Sequence, residues 1–347
     1  MMGIALIILL LAGWPFWLTR LPVTFDFPND RFTLPFIPGA AIVGASILTA
    51  IPLPRRVKIG ALALVVGVSC GFHFSNAAAY RQDWNQARQM FWQLYWRAPQ
   101  IKPGTVVFSN DLPFHYYSDN SLTAPLNWVY APQNHTPQMD FVLYYASIRS
   151  ERAAPLEKDR PVFQNYLAAS FDGNTNDVVS IFFSPPGCLR VLDGALEPEN
   201  RMIPVEMRSA ARLSRPERIE SSPEKQDSLQ PEALFGLQPS HGWCYFYEKA
   251  ALAAQLKNWD EVARLDEEAM KINDYSNDPA ERIPFVQAYA FTNKWEKAAE
   301  LTRQSAGISP LIRPVFCRLW DSLKMETPDS TEKRDIIQKI WAEMECP

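Results

Sequence analysis

Apolar positions run almost unbroken through the first 79 residues and become short, periodic and interrupted afterwards. Residues 1–19, 34–53 and 59–79 contain no Lys, Arg, Asp or Glu. A helix rises 1.5 Å per residue, so about 20 residues cross a hydrocarbon core of ~30 Å. Each stretch is long enough to span a bilayer, and the pattern predicts three transmembrane helices. The first ends in Trp14-Pro15-Phe16-Trp17 with Arg20 behind it and lacks a charged leader and a small-residue cleavage site. That reads as an anchor with an aromatic belt rather than a secretory signal.

Beyond residue 79 the pattern changes twice. Over 80–98, Tyr80, Trp84, Phe91, Trp92 and Tyr95 fall on one helical face, predicting an amphipathic connecting helix over 80–100 that rests either in the headgroup layer or on a protein core. Runs at 104–109, 139–147 and 177–184 are β-branched and aromatic, of strand length, and bounded by Pro, Gly, Asn or Asp, with 189–192 as a short fourth. Their continuous apolarity predicts a small sheet covered on both faces, in a soluble α/β domain over 101–212. Residues 213–240 are charged and punctuated by proline, which reads as a linker or surface loop. From 241 to 347 the period is helical, and two stretches align with Trp259 on Trp295, 36 positions apart. Each has a helix, an Asn/Lys-Trp turn and a second helix with paired alanines. This resembles a degenerate tetratricopeptide pair, whose usual period is about 34 residues, with residues 337–344 as a capping helix.

Composition narrows the function classes. Lys+Arg of 34 against Asp+Glu of 38 gives a net charge of −4, so no broad basic surface is available for nucleic acid. Arg55, Arg56 and Lys58 in the short second connection favour the cytoplasmic side for that loop, which puts the larger, water-soluble part outside the cytosol. The five cysteines contain no C-x-x-C pair. Cys188, Cys244, Cys317 and Cys346 read as thiols, one disulfide among them being the alternative outside the cytosol. The apolar run beginning at the first residues also suggests a piece of a longer polytopic protein.

Motifs with a mechanism are mostly missing. The chain holds no G-x-x-x-x-G-K-[ST], G-x-G-x-x-G, G-x-S-x-G or H-E-x-x-H, and its four histidines lack metal-like spacing, so no cofactor or metal is expected. The richest polar cluster is 109–120, following the strongest strand, where sheet domains place ligands. Asp111, His115 and Asp119 are its candidate acid, base or metal-binding groups; the plainer reading is that Asn, Asp and Ser there form turns. A second cluster, Asp26, Asp30 and Arg31, could meet a metal or a lipid-linked headgroup, or simply cap the second span. Whether the chain is an enzyme is not legible.

Several stretches resemble an uncharacterised group of large bacterial polytopic membrane proteins: 30–35, 91–99, 118–122, 126–128 and 185–193. In overall plan such proteins are similar to the C superfamily of membrane glycosyltransferases. The resemblance implies an extracytoplasmic binding or accessory module on a membrane region, with a lipid-linked or envelope substrate; it assigns no catalytic residue here. A protein-interaction scaffold acting through the helical tail is the alternative. Membrane lipid is an expected partner in both. The fold expected is therefore an α+β membrane protein with three N-terminal spans, an α/β domain and a tetratricopeptide-like tail.

Overall fold

A computed structural model describes residues 2–25, 29–147, 157–221, 231–272, 274–276 and 278–347. The chain divides into two compact units, Met1–Trp84 and Asn85–Pro347. Asp26 of the second polar cluster lies outside the described residues.

In the first unit, α1 (Met2–Thr19) and α2 (Ile37–Ala50) are joined by a loop and a 3-10 turn (Asp30–Phe36), and α3 (Arg55–Arg97) begins after a proline-bounded connection. Three helices among the described residues are long and apolar enough to cross a membrane. Small residues bring α1 and α2 together: a Cβ on Gly39 would lie 2.7 Å from Leu9 Cγ, so only glycine allows this approach. Phe16 sits 5.4 Å from Phe32 and 5.9 Å from Phe36. Asp30 does not cap the second span as expected: the residue before the turn is Asn29, and Asp30 Oδ1 accepts from the Arg31 amide at 2.9 Å.

The second unit is built on a four-stranded sheet in the order β3-β2-β6-β7, comprising β2 (Thr105–Ser109), β3 (Phe141–Tyr145), β6 (Val178–Phe182) and β7 (Arg190–Val191). β2 runs parallel to both β3 and β6, while β7 is antiparallel to β6. Parallel β2 and β3 require a crossover, supplied by α4 (Asp119–Tyr130). Side chains of α4 fix the register of β3. Asn127 Oδ1 accepts from the amides of Asp140 and Phe141, both at 3.1 Å, and Thr123 Oγ1 accepts from Leu143 N at 3.0 Å.

Strand alternation sorts the apolar residues onto two faces. Val107, Phe141, Leu143, Val179 and Ile181 pack with Phe91, Trp92, Leu94 and Trp96 of α3 and with Leu122 and Leu126 of α4. Val106, Phe108, Val142, Tyr144 and Val178 meet Val162 and Phe171 of the hairpin β4 (Pro161–Asn165) and β5 (Ser170–Asn174), together with Met207 and Ala210 of α5 (Val205–Ala211). The sheet is thus covered on both faces, one of them by a hairpin the sequence pattern does not announce.

The connecting helix is not a separate element. Its residues are the continuation of α3, with Tyr80 and Trp84 half exposed and everything from Met90 to Trp96 except Tyr95 buried, so the later part of the stripe packs on a protein core. The segment 213–240 is likewise not a free linker where it is described. Ile219–Glu220 forms β8, paired antiparallel with β1 (Gln100–Ile101). Glu232–Phe235 forms α6, and the Phe235 ring stacks on Phe91 at 4.7 Å.

Three helix pairs follow: α7 (Trp243–Gln255) with α8 (Trp259–Ala269), α9 (Ile283–Phe291) with α10 (Trp295–Ile308), and α11 (Arg313–Glu326) with α12 (Thr331–Met344). The first two turns repeat in backbone as well as sequence. Lys257 and Asn293 both take positive φ, 59° and 60°, and the following amides, Asn258 and Lys294, donate to Ala253 and Tyr289. The expected cap over 337–344 belongs to α12, which with α11 makes a third pair.

All four later cysteines are oxidised. Cys188–Cys244 ties the turn before β7 to α7, and Cys317–Cys346 closes the last helix pair. This corrects the reading of them as thiols. Neither pairing is visible in spacing, because the partners are brought together by tertiary packing.

Candidate functional site

The loop after β2 emerges at the carboxyl end of the sheet, and its polar residues bond both to one another and to the rest of the fold. Asn110 clamps β2 to the end of β6, donating to Phe183 O at 2.9 Å and accepting from Phe183 N at 2.8 Å. Asp111 is exposed and accepts from the Ser147 amide at 2.8 Å. Asp119 is buried at the start of α4, behind a Ser118–Ser121 capping box, and accepts from the Tyr166 hydroxyl at 2.8 Å. His115 is exposed beside Tyr116, at 6.2 Å between rings. The Tyr117 hydroxyl accepts from Leu112 N at 3.2 Å, and burial, reinforced by Asp111, pushes its phenol up to about 12. The Ser118–Ser121 box and the Tyr117 contact are local, whereas Asn110, Asp111 and Asp119 hold residues distant in the chain.

A concavity lies elsewhere in this unit, in a place the sequence did not single out. A cleft of about 620 Å³ is walled by the end of α3 (Arg97), the segment after β7 (Val191, Asp193, Leu196, Glu197), the stretch into β8 (Pro216, Glu217, Ile219), α7 (Tyr247, Ala251, Ala254, Gln255) and the start of α9 (Ile283, Pro284, Gln287). Asp193, Leu196, Ala254, Gln255 and Gln287 are shared with an adjoining lobe of about 360 Å³, whose far wall includes Trp259 stacked on Phe291 at 4.3 Å. Together these are ordinary dimensions for a small-molecule site.

Buried charges surround the cleft. Arg190 is 2% exposed, meets Glu197 at 2.9 Å and Asp278 at 3.3 Å, and lies over the Phe182 ring. Asn200 donates to the second Glu197 oxygen at 2.7 Å. Glu281, fully buried, takes the Cys188 amide on Oε1 and the Trp243 indole on Oε2, both at 2.7 Å. Burial pushes its carboxyl up to about 7. Glu248 is also fully buried; neither of its oxygens has a hydrogen-bond partner among the described residues, and burial holds its carboxyl well above the ordinary range. Arg97 donates from Nη2 to Gln255 Oε1 at 2.8 Å, and Gln255 in turn donates to Pro216 O at 2.8 Å. Arg97 Nη1 is buried with no hydrogen-bond partner among the described residues, and the Glu248 and Asp193 carboxyls are the guanidinium's electrostatic partners.

Arg97 and Glu248 each stand in an otherwise helical, largely apolar stretch, the one signal in the sequence that could have marked them. Ionisable side chains on a helix's packed face need partners or a task. Among the described residues, no group of three or more His, Cys, Asp or Glu is placed to hold a metal ion. Comparison with known proteins adds no function: no family model matches the chain, and neither a curated protein nor a solved structure is significantly similar to it.

Proposed function

We propose that the chain is a membrane-anchored binding module whose second unit works outside the cytosol and takes a small ligand in the cleft around Arg97. The observation that carries the reading is the pair of disulfides, Cys188–Cys244 and Cys317–Cys346, in a unit that follows three apolar helices. Structural disulfides persist in oxidising compartments and are rare in the cytosol. The basic second connection, Arg55, Arg56 and Lys58, supports the same sidedness. A role beside a lipid-linked or envelope substrate accords with the resemblance in plan to membrane glycosyltransferases.

Thiol trapping in growing cells tests the compartment. Cells are treated with permeant N-ethylmaleimide, then lysed, reduced and labelled with a heavier maleimide. Cys188, Cys244, Cys317 and Cys346 should take only the second label. Finding the first label on all four would overturn an extracytoplasmic placement.

The alternative, a tetratricopeptide-like interaction scaffold, is favoured by one observation: three consecutive helix pairs, the number a repeat stack normally needs. Its exposed apolar side chains Ile308 and Leu311 then mark the partner surface. Replacing both with Glu would abolish partner cross-linking from that face under this reading and leave ligand binding in the cleft unchanged.

A further inference from the structure

The third span carries polar side chains that no described residue answers. Ser69 is the middle residue of the uncharged stretch 59–79, and His73 and Asn76 follow it about 6 and about 10 Å further along α3. At about 100° per residue the three lie within about 60° of one another, a single stripe along one face. Their side chains make no hydrogen bond among the described residues. Thr19 and Thr49, in the other spans, instead close on carbonyls of their own helices, Pro15 O at 2.8 Å and Ala45 O at 2.9 Å. Nor is any residue of the most apolar 18-residue window of α3 buried. Hydrocarbon offers such groups no water, and polar side chains within spans face another helix rather than lipid.

We propose that this stripe is the seam of a parallel dimer, in which α3 packs on α3 of a second copy of the chain. Two copies insert in one orientation and to one depth, so Ser69, His73 and Asn76 each meet their own counterpart at the same level of the bilayer. A hydroxyl, a neutral imidazole and a side-chain amide each donate and accept, so each is complementary to itself. The stretch 59–79 holds no charge that would drive the copies apart. Spacing of four and then three residues is that of the seam in a left-handed helix pair, the commoner crossing in membranes. The contact is the same patch on both copies, which closes at two. The dimer is independent of what the second unit binds and of the side on which it lies.

Disulfide cross-linking of the full chain in native membranes tests this. Cys70 is the one free cysteine, so Cys70→Ser gives a background without a free thiol. Into it go, one at a time, Ser69→Cys, His73→Cys and Asn76→Cys on the stripe, and Gly67→Cys, Gly71→Cys and Ser75→Cys away from it. Copper phenanthroline should join the first three into dimers and leave the last three monomeric. In a second measurement, Ser69→Leu, His73→Leu and Asn76→Leu together keep the span apolar. Recovery of one tagged copy with a differently tagged second should then fall about tenfold, as three interhelical hydrogen bonds are lost. The proposal is overturned if no stripe position cross-links, which leaves lipid or another polypeptide on that face. It is overturned equally if Gly67→Cys and Gly71→Cys cross-link instead, which makes the small-residue face the contact. Equal cross-linking from all six positions, the mark of random collision, or a leucine variant that pairs as well as wild type, also sinks it.

Discussion

Removing Cys188–Cys244 should destabilise the second unit by an amount set largely by the loop it closes. The bond joins residues 56 apart in sequence, and Cys317–Cys346 joins residues 29 apart. Constraining the unfolded chain by loops of these lengths is worth about 4 kcal/mol for the first and about 3.6 kcal/mol for the second. The first also positions the Cys188 amide on Glu281 Oε1 at 2.7 Å, opposite the Trp243 indole, so its loss loosens a buried carboxylate as well. For a unit of roughly 260 residues, about 4 kcal/mol lowers Tm by about 8 °C. The measurement is thermal and guanidinium unfolding, in detergent, of wild type, C188A/C244A and C317A/C346A, each with and without dithiothreitol. Reductant should lower the wild type to or below both variants and lower each variant further by the remaining bond. Variants within about 1 kcal/mol of wild type, or a wild type indifferent to reductant, would refute the reasoning.

Glu281 gives a pH dependence. Its carboxyl is raised from 4.5 unfolded to about 7 folded, so the folded state holds the proton more tightly. Its contribution is complete below about pH 4.5 and is lost as pH rises through about 7, a change of about 3 kcal/mol. The stability difference between wild type and Glu281→Gln, read from urea titrations, should therefore fall across that window, and a pH-independent difference contradicts the assignment. In the first unit, Gly39→Ala forces a Cβ to 2.7 Å from Leu9 Cγ and should cost about 1–3 kcal/mol in mixed-micelle unfolding, whereas Gly44→Ala, with open space at its Cβ, should cost nothing. Phe235→Ala should cost about 3–5 kcal/mol in chemical denaturation, because its ring is 5% exposed and stacked on Phe91. A cost near zero would restore the linker reading of 213–240.

The elements that could be read from the chain are those whose physics is local. Stretches 1–19, 34–53 and 59–79 are apolar enough that length and charge suffice to mark them, and all three appear as helices. β2, β3, β6 and β7 follow from short β-branched runs bounded by turn residues. Lys257 and Asn293, aligned in the sequence, share a positive φ because a tight helix–helix turn imposes the same backbone on both. Asp111 and Asp119 were legible as a polar cluster, and the structure gives each a partner in the fold, the Ser147 amide and the Tyr166 hydroxyl.

Composition misled at 213–240, where charge and proline hide the Phe235 anchor and the β8 pairing. It was silent on the cleft, whose walls come from five separated stretches between Arg97 and Gln287. The sequence by itself determined which segments must leave water and which short runs must become strands or helices, because transfer free energy and backbone preference act on neighbours along the chain. Only the tertiary structure decided the cysteine partners and the burial of Glu281, Glu248 and Arg97, because each depends on which distant residues exclude water around it.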